Sequence, residues 1–217
     1  MAIFLVANEK GGTGKTTVAS NLAIMRAQHG RDVLLIDADP QGSSTEFIKV
    51  REDEQVSPTV SCVAVTGRSV ATETRKLMPR YQDIIIDAGG RDSVGMRSAL
   101  TIADVLVIPF LASQFDLWAV ENMDTIVGDA LGINPDLKAY LVINKHDTNP
   151  RIAMGNEVSG IASELQNLTI LNTKIGYRIA YRRSSAEGRA VNELDKRDPK
   201  AIGEMEALYK EVTSWQQ

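Results

Sequence analysis

The sequence predicts an α/β fold with a doubly wound, mostly parallel sheet and helices on both faces, and three observations carry that prediction. Short β-rich runs alternate with amphipathic stretches along the chain. Several of the runs, Ile84-Ile85-Ile86 among them, are continuously apolar, as strands buried on both faces are. A glycine-rich turn, Lys10-Gly11-Gly12-Thr13-Gly14-Lys15-Thr16-Thr17, follows directly on the first apolar run and opens a helix-like segment. A strand, a glycine turn and a helix start in that order form a cradle for phosphates.

Strands are expected at residues 3–7, 33–36, 59–65, 83–86, 105–108 and 139–143, with another near 168–171. The first helix, over 16–29, carries Val18, Leu22 and Met25 at helical spacing and stops at Gly30. Further helices are expected at 69–78, 93–102, 116–131 and 152–165. A last one over 199–214 starts at Pro199 and places Ile202, Met205, Tyr209 and Val212 on one side. With no internal repeat, low-complexity tract or linker, the 217 residues read as one domain, 1–217.

Composition narrows the chemistry. Hydrophobic residues make up 43% and charged residues 24%, and no apolar run approaches the ~20 residues of a membrane span, so a cytoplasmic protein without membrane contact is expected. The one cysteine, Cys62, lies in a strand-like run and reads as a packed thiol. His29 and His146 belong to no metal-binding cluster, which argues against a zinc site. The formal charge of −4 advertises no global attraction to nucleic acid, so any such surface has to be local.

Three segments carry chemistry. In the glycine turn, backbone N–H groups can approach anionic oxygens, Lys15 can reach the β- and γ-phosphates, and the Thr16 hydroxyl can ligand Mg²⁺. Asp37-Ala38-Asp39-Pro40-Gln41 stands at the carboxyl end of the second strand, where ligands gather in such sheets. One of its carboxylates can support the metal and its waters while the other orients an attacking water. Asp87, in Asp87-Ala88-Gly89-Gly90, ends another apolar strand and can reach Mg²⁺ through water.

The glycine turn departs from the strict G-x-x-x-x-G-K-[ST] pattern, because Glu9 stands at its first glycine and a second lysine, Lys10, opens the loop. This K-G-G-x-G-K-T form resembles the deviant Walker A P-loop of the ParA/MinD ATPases, and D-x-D-P-Q resembles the switch of the ParA/Soj group. The resemblance implies a P-loop NTPase fold binding ATP and Mg²⁺. It implies that Gly11, Gly12, Thr13, Gly14, Lys15, Thr16 and Thr17 bind the nucleotide and that Asn144 reads adenine. It further implies that Thr16, Asp37 and Asp87 serve the metal, that Asp39 positions the water, and that Lys10 acts as a signature lysine on the partner's nucleotide across an ATP-bridged homodimer. Where relatives often have proline shortly after the Walker B aspartate, this chain has Gly89-Gly90.

No helix-turn-helix precedes the loop, which is similar to small plasmid-partition ParA proteins, including the ParF-like group. That likeness implies non-specific DNA binding on the nucleoid and a ParB- or ParG-like centromere-binding partner that stimulates hydrolysis. The basic, tyrosine-interleaved stretch 174–183 falls where such proteins place DNA-binding arginines, so Arg178, Arg182 and Arg183 are the candidates for DNA phosphates. Partition of plasmid or other DNA is therefore the expected function. Two alternatives share these residues. One is a ParA-like positioning ATPase for a protein cargo such as a chemoreceptor cluster or carboxysome. The other is a dimerising GTPase, because Asn144-Lys145-His146-Asp147 matches N-K-x-D and Asp87-Ala88-Gly89-Gly90 matches D-x-x-G.

Overall fold

The computed structural model describes residues 1–90, 93–111, 114–146 and 165–214. Its strands are β1 (Ala2–Val6), β2 (Val33–Ala38), β3 (Ser61–Ala64), β4 (Asp83–Ala88), β5 (Val105–Leu111), β6 (Lys138–His146) and β7 (Thr169–Gly176). Its helices among the described residues are α1 (Lys15–Gln28), α2 (Ser43–Asp53), α3 (Val70–Leu77), α4 (Ser93–Leu100), α5 (Gln114–Leu131), α6 (Ile179–Ala186) and α7 (Pro199–Thr213). The strands form one sheet in the order β3-β2-β4-β1-β5-β6-β7, with every pair parallel. The expected α/β doubly wound class is the one observed.

Alternating side chains of the central strands supply two cores. Phe4, Val6, Leu35 and Ile85 face a layer containing Leu22 of α1 and Leu208 of α7. Ile3, Leu5, Ile84 and Ile86 face the opposite layer, with Met96 of α4 and Met123 of α5. A period of two in strands covered on both sides accounts for the continuous apolar runs. Order reverses around β1, which lies between β4 and β5, so the carboxyl ends of β1, β2 and β4 open into one crevice. There, register sets Val6 beside Asp87 and Asp87 beside Asp37.

Buried charges fix the edges of this arrangement. The Asp83 carboxylate, fully buried at the start of β4, accepts from Arg26, Arg31 and the backbone N–H of Ala2. Arg51, at the last turn of α2, has a side chain only 2% exposed. It donates to both oxygens of Glu193 and to the carbonyls of Pro58 and Gly188, so its charge is paired and its donors are used.

Several elements differ from the sequence expectation, among them α6, which no expected helix covers, and β4, β5 and β6, which run two or three residues past their expected ends. α2 was not foreseen, because its buried positions Ser44, Phe47, Ile48 and Arg51 keep helical spacing but only two of them are apolar. β7 runs to Gly176 instead of ending near 171, since polar Asn172 and Lys174 are the exposed residues of an edge strand. β3 is shorter than 59–65. The helix expected over 152–165 lies almost wholly outside the described residues. No helix among the described residues is long and apolar enough to cross a membrane.

Candidate nucleotide site

The loop between β1 and α1 is shaped by two glycines with positive φ, Gly12 (76°) and Gly14 (94°), the second of which is the N-cap of α1. Such backbone admits glycine at little cost and turns successive N–H groups toward one point. The loop is also held from outside. Asn8 Oδ1 accepts the Lys10 N–H at 3.0 Å, while Asn8 Nδ2 donates to the carbonyl of Pro109 at 2.8 Å on β5. From β6, Asn144 Nδ2 donates to the Thr13 carbonyl at 2.6 Å and Lys145 Nζ to the Gly12 carbonyl at 2.6 Å. A methyl on Gly14 would collide with Asn144 Nδ2.

Lys15 reaches back along its own loop and donates to the Lys10 carbonyl at 3.0 Å. Burial lowers its pKa, and Asp87 and Asp39 oppose that shift. Thr16 Oγ1 donates to Asp87 Oδ2 at 2.7 Å. Asp87 is buried, and desolvation together with neighbouring Asp37 pushes its pKa up to about 6, against the hydroxyls of Thr16 and Ser44 and the charge of Lys15. Asp37 is fully buried, with one oxygen accepting the N–H of Asp39 and the other that of Thr45. It thereby pins the turn that presents Asp39, whose own Oδ1 accepts the Gln41 N–H.

The glycine pair after Asp87 is explained by proximity. A methyl on Gly89 would lie 3.0 Å from the Asp39 carboxyl carbon, and one on Gly90 would lie 3.0 Å from Lys15 Nζ and 3.1 Å from the Gly11 amide nitrogen. The loop after Asp87 therefore rests against both the turn that presents Asp39 and the glycine loop.

These parts line a cleft of about 740 Å³ that Gly11, Lys15, Thr16, Thr17, Asp39 and Gly90 share with residues from the far end of the sheet. At that far end are Asn144, Tyr177, Arg178 and Arg182. The three candidate DNA arginines are thus placed differently from one another. Arg178 is closed onto Glu204, with Nη2 at 2.5 Å, and lines the cleft. Arg182 also lines it, its guanidinium 6.0 Å from the centre of the Tyr177 ring. Arg183, half-exposed, lies 3.9 Å from Glu187. Asp147, the last member of N-K-x-D, lies outside the described residues. Ser44 and Asn8 were missed at the sequence level; Asn8 gave no signal beyond its place one residue past an apolar run.

The residues present suit a magnesium nucleotide. Among the described residues, two buried side-chain oxygens have no hydrogen-bond partner, Thr13 Oγ1 and Asp87 Oδ1, and both belong to this site. No group of three His, Cys, Asp or Glu side chains capable of holding a metal occurs among the described residues. Mg²⁺ matches such a site because it takes one or two protein oxygens and completes its shell with phosphates and water.

Fold and site together define a P-loop nucleotide hydrolase whose phosphate loop opens with an extra lysine. Residues 4–191 match the model of the CobQ/CobB/MinD/ParA nucleotide-binding domain, and the chain belongs to that family as a ParA/MinD-type ATPase. It is 33% identical over 212 residues to maintenance of carboxysome distribution protein A from Halothiobacillus neapolitanus, spanning 95% of this chain and 94% of that one. It is 29% identical over 176 residues to the chromosome-partitioning ATPase Soj of Thermus thermophilus, covering 68% of this chain and 71% of Soj. Among solved structures, apo McdA of Cyanothece superposes with a TM-score of 0.77 at 20% identity, covering 98% of this chain and 99% of that one. The ATP complex of a variant of that protein gives 0.74 at 20% identity, covering 99% and 96%.

Proposed function

We propose that this chain is a positioning ATPase that distributes a protein cargo through ATP-dependent dimerisation. The observation that carries the reading is the near end-to-end likeness to a carboxysome distribution protein. It favours the protein-cargo alternative over DNA partition, which keeps support from the shorter match to Soj. The proposed cofactors are ATP and Mg²⁺, the latter supplying charge neutralisation at the β- and γ-phosphates.

On this reading Lys15 exchanges the Lys10 carbonyl for phosphate oxygens, an exchange its burial favours because a desolvated ammonium gains most from an anionic partner. Thr16 has lone pairs for the metal while its O–H goes on donating to Asp87 Oδ2. Asp39, on the turn fastened by Asp37, holds the attacking water; because it touches transition-state chemistry more than phosphate binding, its loss should trap the bound state. Lys10 stands at the mouth of the loop, the position from which a signature lysine would enter the second protomer's site. Asn144 braces the loop through Thr13 and closes the base end of the cleft.

Non-specific DNA remains the proposed track. Arg182 and Arg183 are the members of the basic cluster left for phosphates, because Arg178 is spent on Glu204. The partner is proposed as a small adaptor that stimulates hydrolysis, with a ParB- or ParG-like centromere-binding protein as the counterpart for DNA cargo.

The test uses Asp39→Ala as a trap in the native host. The variant should bind ATP with affinity near wild type, hydrolyse it at least about 100-fold more slowly, and stay on the nucleoid with adaptor and cargo attached. Crosslinked complexes containing a proteinaceous assembly would support the reading. Recovery of a sequence-specific DNA-binding protein at one plasmid or chromosomal locus would replace it with DNA partition.

A further inference from the structure

Ser44 is a fully buried hydroxyl in the first turn of α2, and its Oγ donates to Asp87 Oδ2 at 2.7 Å. Thr16 Oγ1 donates to the same oxygen at the same distance from α1. The carboxylate is thus gripped on one oxygen by two helices. The other oxygen, Asp87 Oδ1, is buried and has no partner among the described residues. Nothing in a purely structural role explains that asymmetry, since leaving a buried carboxylate oxygen unpaired is costly and a second hydroxyl on Oδ1 would have relieved it.

We propose that Ser44 is a positioning residue for the Walker B carboxylate, fixing Asp87 so that Oδ1 faces the magnesium site and its water. The inference rests on the Mg²⁺-nucleotide reading above. Thr16 gives Asp87 only one hydrogen bond, from a hydroxyl whose lone pairs are proposed to serve the ion as well. Ser44 has no such second duty. Its place is set by the neighbouring Thr45 N–H, which donates to Asp37 Oδ2 at 2.7 Å, and Asp37 is the register partner of Asp87. Ser44, Asp37 and Asp87 therefore form a bracket joining the tips of β2 and β4 through α2. Partners that orient a carboxylate beside a metal typically alter metal affinity by about 10- to 100-fold when removed.

The test is a fluorescence titration of ATP binding by Ser44→Ala, with Mg²⁺ varied and a parallel series in EDTA. Wild type should bind ATP more tightly as Mg²⁺ rises, with a defined half-maximal concentration. Ser44→Ala should need about 10-fold more Mg²⁺ for the same effect, while its affinity in EDTA and its far-UV spectrum stay those of wild type. Ser44→Thr, which keeps the hydroxyl, should bring the Mg²⁺ requirement back toward wild type. An unchanged Mg²⁺ requirement in Ser44→Ala overturns the proposal, as does an equal loss of affinity with and without Mg²⁺, which marks a structural role only. If wild type itself shows no Mg²⁺ dependence, the magnesium reading of the site fails instead, a result distinct from either.

Discussion

Replacing Gly90 by alanine probes the contact between the Walker B loop and the phosphate cradle. The added methyl would stand 3.0 Å from Lys15 Nζ, 3.1 Å from the Gly11 amide nitrogen and 3.2 Å from the Glu9 carbonyl oxygen. Each separation is short by a few tenths of an ångström, so the neighbours have to yield. Lys15 is a flexible side chain and can swing aside. The other two atoms are backbone, held in a loop tied to Asn8, Asn144 and Lys145, and they move only if the loop opens. Overpacking of this kind costs about 1–3 kcal/mol, and the escape open to Lys15 puts the expected value in the lower half, about 1–2 kcal/mol. Because the strain falls on the atoms proposed to receive phosphate, ATP affinity should drop about 5- to 30-fold, measured by calorimetric titration with Mg²⁺ present. Gly203→Ala is the opposite control: it lies on the exposed side of α7 with nothing within 4 Å, so it should leave ATP binding alone and stabilise the fold by roughly 0.5–1 kcal/mol. Wild-type ATP affinity in folded Gly90→Ala would refute the close approach of this loop to the cradle.

Arg51→Ala should cost about 3–5 kcal/mol in urea denaturation, because it strands Glu193 and the carbonyls of Pro58 and Gly188; a loss below 1 kcal/mol, on the scale of a surface pair, would contradict the buried pairing. The buried Asp87 carboxyl has its pKa raised from 3.8 to about 6, so its contribution to stability is fully present below pH 3.8 and is lost as pH rises through about 6. Without nucleotide or Mg²⁺, Asp87→Asn should therefore gain in melting temperature over wild type between pH 5 and pH 8, and a constant difference across that range would count against the shift.

Much of the fold was legible because its central strands are covered on both faces, leaving no polar residues to interrupt Ile84-Ile85-Ile86 or Val105-Leu106-Val107. The edge strand β7 was half-read for the complementary reason, its outward residues being polar. α2 was missed because two of its four inward positions are Ser44 and Arg51, which a search for apolar periodicity passes over. The candidate site segments, Lys10 to Thr17 and Asp37 to Asp39, each lie on one short stretch and could be proposed from the sequence alone. Relations between segments could not. That Asn144 holds the loop at Thr13, and that Gly89 and Gly90 are glycines because of Asp39 and Lys15, depends on atoms brought together from opposite ends of the sequence. The stretch 174–183 shows the same limit: its charges suggested a DNA surface, and the fold turns Arg178 toward Glu204 and the cleft.

Arg51 and Ser44 are seven residues apart on α2, two turns of helix, so both face inward and stand roughly 10 Å apart along its axis. One end of the helix meets the carboxylates at the strand tips; the other is welded to 188–193. The helix between them acts as a gauge block. Its exposed residues, such as Glu46 and Lys49, are free to vary in chemistry, but its length is not. One inserted residue would rotate the two ends about 100° out of phase, and even a whole added turn would push them about 5 Å further apart. Homologous chains that keep both ends should therefore differ freely in the composition of this helix while preserving its residue count, and insertions should collect instead in the connection that follows it, before β3.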